Sequence, residues 1–331
     1  MSERGVVSVG VCDPDSSGAA LRWAAREASR RRAQLRVLHA VHHGLLPGTP
    51  EEHRAAVARA AARVLQQACA AVREAAPGLR VSTHTVHGRA RDVLAGAAAG
   101  SDLVVVGARG RSGAPGLALG STSAALAGTC PVPLVVLAHD PVRGASGVLV
   151  GVDGSADARA AVRFAARAAE RSGEGLTVLH AWDDLDTYPG LAVHPGPGAA
   201  SRPGGPSTAP GGGGSAPGDG REAAGTAGRE AAGTAGPVVA WFAGRSATLL
   251  DEAVELALET CPGVRVHPLS VRAPSTAGAV LRASRGARLL VLGARGDRHP
   301  SARAVAPTGA VTRALLHTAR APVAVVAAGP A

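Results

Sequence analysis

Residues 10–40 read GVCDPDSSGAALRWAAREASRRRAQLRVLHA, and residues 151–181 read GVDGSADARAAVRFAARAAERSGEGLTVLHA. The two stretches align without a gap, Gly10 on Gly151 and Ala40 on Ala181. Each opens at the end of a short apolar run, passes through small apolar residues at helical spacing, and closes on a second β-branched run. A repeat of this length means that one supersecondary plan is used twice. Further on, LVVVGARGRSG at 103–113 answers LLVLGARGDRH at 289–299, and the spacing between copies has widened from 141 to 186 residues. The second copy therefore carries 45 extra residues between His180 and Gly293.

The extra material is legible from composition. From Asp184 to Gly236 the chain is dominated by Gly, Pro, Ala and Ser, and REAAGTAG occurs at Arg221–Gly228 and again at Arg229–Gly236. Such a stretch buries too little apolar surface to offset its ordering entropy, so 184–236 is expected to be a disordered low-complexity insertion. The expected organisation is a first domain at 1–140, a linker at 141–146, and a second domain at 147–331 interrupted by that insertion.

Between these landmarks, strands and helices alternate. In the first copy the patterns predict strands at Val6–Val11, Leu35–Val41, Val81–Val86, Leu103–Val106 and Leu134–Leu137. Helices are predicted at Gly18–Arg32, from Pro50 (capped by Thr49) to about Pro77-Gly78, at Ala90–Ala99 and at Ser121–Ala127. Alternating elements with nearly all-apolar strands predict an α/β fold, with two doubly wound five-stranded parallel sheets in tandem. A length of 331 residues suits two such domains.

The charge of +10 comes from 35 basic residues, all of them Arg, against 25 acidic ones. The chain has no Lys, Ile or Asn and is rich in Ala, Gly, Pro and Arg, a codon-bias signature. The excess Arg is spread along the chain, so nucleic acid is not expected as a partner. Cys12, Cys69, Cys130 and Cys261 show no CxxC and no His partner at metal spacing. No apolar run approaches a membrane span and no leader-like segment opens the chain, so a cytoplasmic location is expected and a membrane partner is not.

In open parallel sheets, ligands bind outside the carboxyl ends of the strands where strand order switches. After the strand at Leu103–Val106 come Gly107-Ala108-Arg109-Gly110, and nine residues later Gly120-Ser121-Thr122-Ser123 opens a helix. The glycines allow close backbone approach to an anion, and the hydroxyls of Ser121, Thr122 and Ser123 either cap the helix or bond phosphate oxygens. Arg109 adds positive charge. The same residues are also compatible with a tight turn and a capped helix alone.

This G-x2-G-x9-G-S spacing resembles the ATP-binding signature of the universal stress protein family. The resemblance extends to VGV…AALRWAAREA, to VLHA and to CPVPLVV, and covers nearly all of both copies except the insertion. It implies a Rossmann-like, adenine nucleotide alpha-hydrolase-like fold binding ATP, with or without Mg2+. The family's acidic adenine contact at the end of the first strand falls on Asp153 in the second copy. In the first copy Cys12 takes that position and the carboxylate moves to Asp13. Ala40 falls on the family's backbone-contact position after strand two.

The second copy keeps Gly293 and Gly296, but a gapless alignment sets Ala306-Pro307 opposite Gly120-Ser121. A weaker second site at Asp153, Gly293 and Gly296 is therefore expected. Without Lys, a Walker A loop, a kinase-type Lys and a Schiff base are impossible. No GxSxG elbow appears, and His39 and His180 are read as structural. Cys12 is read as a small filler or a reactive thiol.

The expected function is an ATP-binding, non-catalytic stress-response regulator with at most weak ATP hydrolysis and an unknown protein partner. The alternative is a nucleotide-free interaction scaffold with vestigial pockets. The resemblance also implies pairing of the fifth strands, Leu134–Leu137 with Val323–Val326, either as a pseudo-dimer within the chain or between chains as a homodimer.

Overall fold

The Val- and Leu-rich runs become strands because both their faces are covered by helices. In the first strand even Ser8 is fully buried between Val7 and Val9. The computed structural model describes residues 5–42, 50–108, 119–182, 237–296 and 308–329. The first copy runs β1 (Val6–Val11), α1 (Pro14–Arg31), β2 (Gln34–Val41), α2 (Glu51–Ala75), β3 (Val81–His87), α3 (Ala90–Ala98), β4 (Leu103–Gly107), α4 (Ser121–Leu126) and β5 (Leu134–Leu137). The second runs β6 (Val148–Gly151), α5 (Ala156–Ser172), β7 (Leu176–Trp182), α6 (Pro237–Thr260), β8 (Val266–Arg272), α7 (Thr276–Ala283), β9 (Leu289–Gly293), α8 (Ala310–Thr318) and β10 (Val323–Val326). The proposed insertion at 184–236, and Thr49 as a cap, lie outside the described residues.

Each copy is a five-stranded parallel sheet, as its sequence predicts. The two are not separate: they form one ten-stranded sheet in the order β3-β2-β1-β4-β5-β10-β9-β6-β7-β8. The fifth strands pair antiparallel within the chain, Val136 opposite Val323, Val135 opposite Ala324 and Leu134 opposite Val325. α1, α2, α5 and α6 pack on one face, and α3, α4, α7 and α8 on the other. On the first face α1 meets α5 through Glu27, whose carboxylate reaches Arg31 at 2.8 Å and Arg171 at 3.7 Å, while Arg31 lies over the Phe164 ring.

Helix α1 begins at Pro14, four residues ahead of the predicted start, because Asp13 caps it in extended conformation. In the second copy Ser155 caps α5 one repeat position later. Both helices end on a left-handed residue, Gly173 in the second copy and Arg32 at φ 54° in the first.

The copies differ most beside their edge strands. A cavity of about 1050 Å³ lies along α2 and β3, lined by Val41, Val57, Ala61, Leu65, Thr85 and His87 among others. α2 ends through Ala76 N–H donating to Val72 O, and α6 through Cys261 N–H donating to Ala257 O, which fixes the correspondence of the two helices. Trp182, Phe242, Ser246 and Ser270 then stand where the first copy has Val41, Val57, Ala61 and Thr85. Trp182 and Phe242 stack with centroids 6.3 Å apart. Beneath them His180 Nδ1 bonds Ser246 Oγ at 2.9 Å, Ser246 Oγ bonds Ser270 Oγ at 2.7 Å, and Trp182 Nε1 donates to Ser270 Oγ at 3.0 Å. The matching His39 instead bonds Val11 O through Nδ1 at 2.9 Å. Large side chains thus fill in one copy what small ones leave hollow in the other.

Two outcomes are expected. Leu134 is 1% exposed and sits in the strand joining the halves, so Leu134→Ala should cost about 2–5 kcal/mol in chemical denaturation. Burial, with Arg245 assisting and Asp153 opposing, holds His180 below its ordinary 6.5. The unfolded chain therefore protonates His180 first as pH falls, and the folded state loses stability below about pH 6.5. In thermal denaturation between about pH 7.5 and about pH 5.5, the parent should lose more than His180→Gln; equal losses would contradict this.

Candidate functional site

Strand order runs outward from β1 to β2 and β3 on one side and continues through β4 and β5 on the other. The carboxyl ends of β1 and β4 are therefore neighbours, with Val9 opposite Val105, and a crevice opens between the loops that follow them. The second copy builds the same switch point between β6 and β9, with Val150 opposite Val291.

In the first copy both ends of the loop after β4 are clamped. Gly120 N–H donates to Ala108 O at 2.6 Å, Ala108 N–H to Leu137 O at 2.6 Å, and Ser123 Oγ to Gly107 O at 2.7 Å. Ser123 is 3% exposed, so its hydroxyl serves the clamp, whereas Ser121 is exposed and Thr122 half-buried at the loop mouth. Arg109 and Gly110 lie outside the described residues. α4 has only six residues, so the hydroxyls matter more than any helix dipole.

β1 ends at Val11, so Asp13 is free of the strand's alternation, but its carboxylate is engaged locally. Asp13 Oδ1 accepts from Ser16 N–H at 2.9 Å and Oδ2 from Ser16 Oγ at 2.6 Å, with Cys12 Sγ at 3.3 Å. Cys12 N–H donates to Ser17 Oγ at 3.0 Å. This turn bonds largely to itself. Ala40 sits near the carboxyl end of β2, in register with Val86 of β3.

The second loop corrects one expectation. Ala306-Pro307, which lie outside the described residues, are not the counterpart of Gly120-Ser121. Gly309 N–H donates to Ala294 O at 2.8 Å and Thr312 Oγ1 to Gly293 O at 2.8 Å, the same clamp made by Gly120 and Ser123. The counterpart of Gly120-Ser121-Thr122-Ser123 is thus Gly309-Ala310-Val311-Thr312. Twelve residues separate Gly296 from Gly309 where nine separate Gly110 from Gly120, and the three added residues shift a gapless alignment. The glycine survives. What is missing is the pair of hydroxyls at Ala310 and Val311.

The turn after β6 also reaches across the crevice. Ser155 Oγ bonds Arg295 O at 3.3 Å, and Asp157, in the first turn of α5, accepts from Arg295 N–H at 2.9 Å and Ala328 N–H at 2.7 Å. A β-carbon on Gly296 would meet Asp153 Oδ2 at 2.5 Å, and one on Gly293 would meet Ala158 N at 3.0 Å. Asp153 Oδ1 accepts from Ser155 N–H at 3.1 Å. Gly293 is therefore required for close packing of this loop on the backbone of α5, whereas Gly296 faces the end of the Asp153 side chain in the turn before it. Asp157 escapes sequence reasoning; the available signal is an acid in the first helical turn where the first copy has Ser16.

Among the described residues no group of three or more His, Cys, Asp or Glu is placed to hold a metal ion. Nor is any helix among them long and apolar enough to cross a membrane.

Comparisons with known proteins agree with this architecture. The model of the universal stress protein family matches residues 4–138 and 146–204. The Mycobacterium tuberculosis universal stress protein Rv2623 is 33% identical over 213 residues, covering 57% of this chain and 68% of that protein. A universal stress protein of Mycolicibacterium smegmatis is 32% identical over 198 residues, covering 57% and 67%. The crystal structure of a universal stress protein from Archaeoglobus fulgidus superposes with a TM-score of 0.64 at 16% identity, covering 98% of this chain and 97% of that one. A universal stress protein solved in complex with cAMP overlaps 41% of this chain and 98% of its own, with 24% identity and a TM-score of 0.35. With two family matches spanning more than half its length, one in each copy of the repeated strand order, this chain belongs to the universal stress protein family.

Proposed function

We propose that the chain is an ATP-binding regulator that takes its nucleotide in the first copy and performs no catalysis beyond slow hydrolysis. The observation that carries this reading is the clamped loop after β4. Its two ends are fixed on the sheet by Gly120 N–H and Ser123 Oγ, which leaves Ser121 exposed and Thr122 half-buried at the mouth of the crevice beside β1. Anchored ends let the intervening backbone amides present themselves to phosphates at a reduced ordering cost. Gly107, Arg109 and Gly110 fall in or beside that loop, and Ala40 lies at the end of the next strand, where an adenine ring would reach. Where Mg2+ enters, phosphate oxygens and a hydroxyl would hold it, because the described part of the site offers no carboxylate cage.

A second reading, a nucleotide-free scaffold, is favoured by one feature. Cys12 replaces the acid present at Asp153, and the Asp13 carboxylate caps α1. Adenine would then lack its acidic partner in the first copy. In the second copy Asp153 is present, and its carboxylate lies close against Gly296. The two readings differ in whether phosphate contacts alone suffice.

Calorimetry with ATP decides between them, with about one site per chain expected. Replacing Ser121 and Thr122 by Ala and Val, the residues of the second copy, should weaken binding by about 100- to 10,000-fold, because each of the two hydroxyls lost from a charged partner costs about 1.5–3 kcal/mol. Ala310→Ser should leave affinity unchanged. No heat from a folded sample at millimolar ATP would establish the scaffold reading.

A further inference from the structure

Asp157 plays no part in the reading above, and the first copy has Ser16 in its place. Its side chain is 8% exposed. Oδ2 accepts from Arg295 N–H at 2.9 Å, Oδ1 from Ala328 N–H at 2.7 Å, and Arg295 Nε lies 3.4 Å from Oδ2. The two amides belong to different loops, one after β9 and one after β10. They converge on one pair of oxygens at the carboxyl end of the second copy's strands. Backbone N–H groups from separate loops, with a guanidinium beside them, are the donor set that receives a phosphoryl group.

We propose that Asp157 is a built-in anion occupying the anion cradle of the second copy, and that this carboxylate is the specificity-determining residue that keeps phosphoryl ligands out of it. Among the described residues the first copy shows no such plug: Ser16, at the matching position, turns its hydroxyl to Asp13 Oδ2 at 2.6 Å. There the amides corresponding to Arg295 and Ala328 belong to Arg109 and His139. A tethered carboxylate competes at a high effective concentration and gives up no translational freedom on binding, so a free anion of similar charge cannot displace it. Displacement would also leave a nearly buried carboxylate without partners. The inference rests on the reading that the first copy's equivalent cradle accepts phosphates, and its test separates the two.

The test uses the full chain with inorganic phosphate as probe, in a background carrying Ala and Val at Ser121 and Thr122, which weakens the first crevice and makes its remaining response common to all the proteins compared. Asp157→Ser vacates the cradle and copies the first copy, whereas Asp157→Asn leaves it filled by a neutral side chain of equal size. Both should lower the melting temperature. Phosphate at about 10 mM, against chloride at matched ionic strength, should raise the melting temperature of the Ser variant at least about threefold more than that of the parent or the Asn variant. If the Ser variant folds only when phosphate is present, the inference is likewise supported. Equal phosphate shifts in all three proteins, or failure of the Ser variant to fold even with phosphate, would overturn it and leave Asp157 as a structural tie. ATP calorimetry on the unmodified protein reports on the first copy alone, so failure there leaves the outcome at Asp157 standing.

Discussion

The antiparallel ladder between Leu134–Leu137 and Val323–Val326 is the constraint on which the rest of this molecule depends. A parallel five-stranded unit leaves its fifth strand with a row of unpaired N–H and C=O groups between apolar side chains, a template that other chains can exploit. Joining the two fifth strands within one polypeptide removes both edges together. β5 has β4 and β10 as neighbours and β10 has β5 and β9, so neither strand keeps a free edge for pairing with another chain. The exposed edges move outward to β3 and β8, the first rich in Ser, Thr and His and the second interrupted by Pro268.

A pseudo-twofold built in this way gives two crevices of the same plan within one cooperative sheet, and the side chains then make them unequal. In the first copy Cys12, Asp13, Ser16 and Ser17 bond one another within the turn after β1. In the second, Ser155 and Asp157 bond to the opposite loop, and Asp153 lies against Gly296. A polar group bonded across a crevice ties its two walls together, and the second copy has such bonds from Ser155 and Asp157. The same contrast appears at the edges, where Trp182 and Phe242 fill a space that Val41 and Val57 leave as a groove.

How far the sequence could be followed depended on the range of the interactions involved. Strand limits at Val6–Val11 and Leu134–Leu137 were readable to the residue, since apolar runs between turn residues admit little choice. The start of α1 was misplaced by four residues because Asp13 acts both as candidate ligand contact and as cap, and its side-chain bond to Ser16 is invisible in a periodicity. The glycine pair Gly107 and Gly120 was readable as a loop. Assigning Ser123 to the clamp required seeing its hydroxyl reach Gly107 O, sixteen residues earlier in the chain.

The amino-acid sequence by itself determined the repeat, the alternation of strands and helices, the absence of any lysine chemistry and the place of the glycine loop, because each of these is written in local pattern or composition. Only the tertiary structure decided that the two sheets are one, that Gly309 and not Ala306 answers Gly120, and that Asp157 bridges the loops after β9 and β10. Those facts rest on hydrogen bonds between residues far apart in the chain, where a loop may lengthen by three residues without changing the pattern on either side of it.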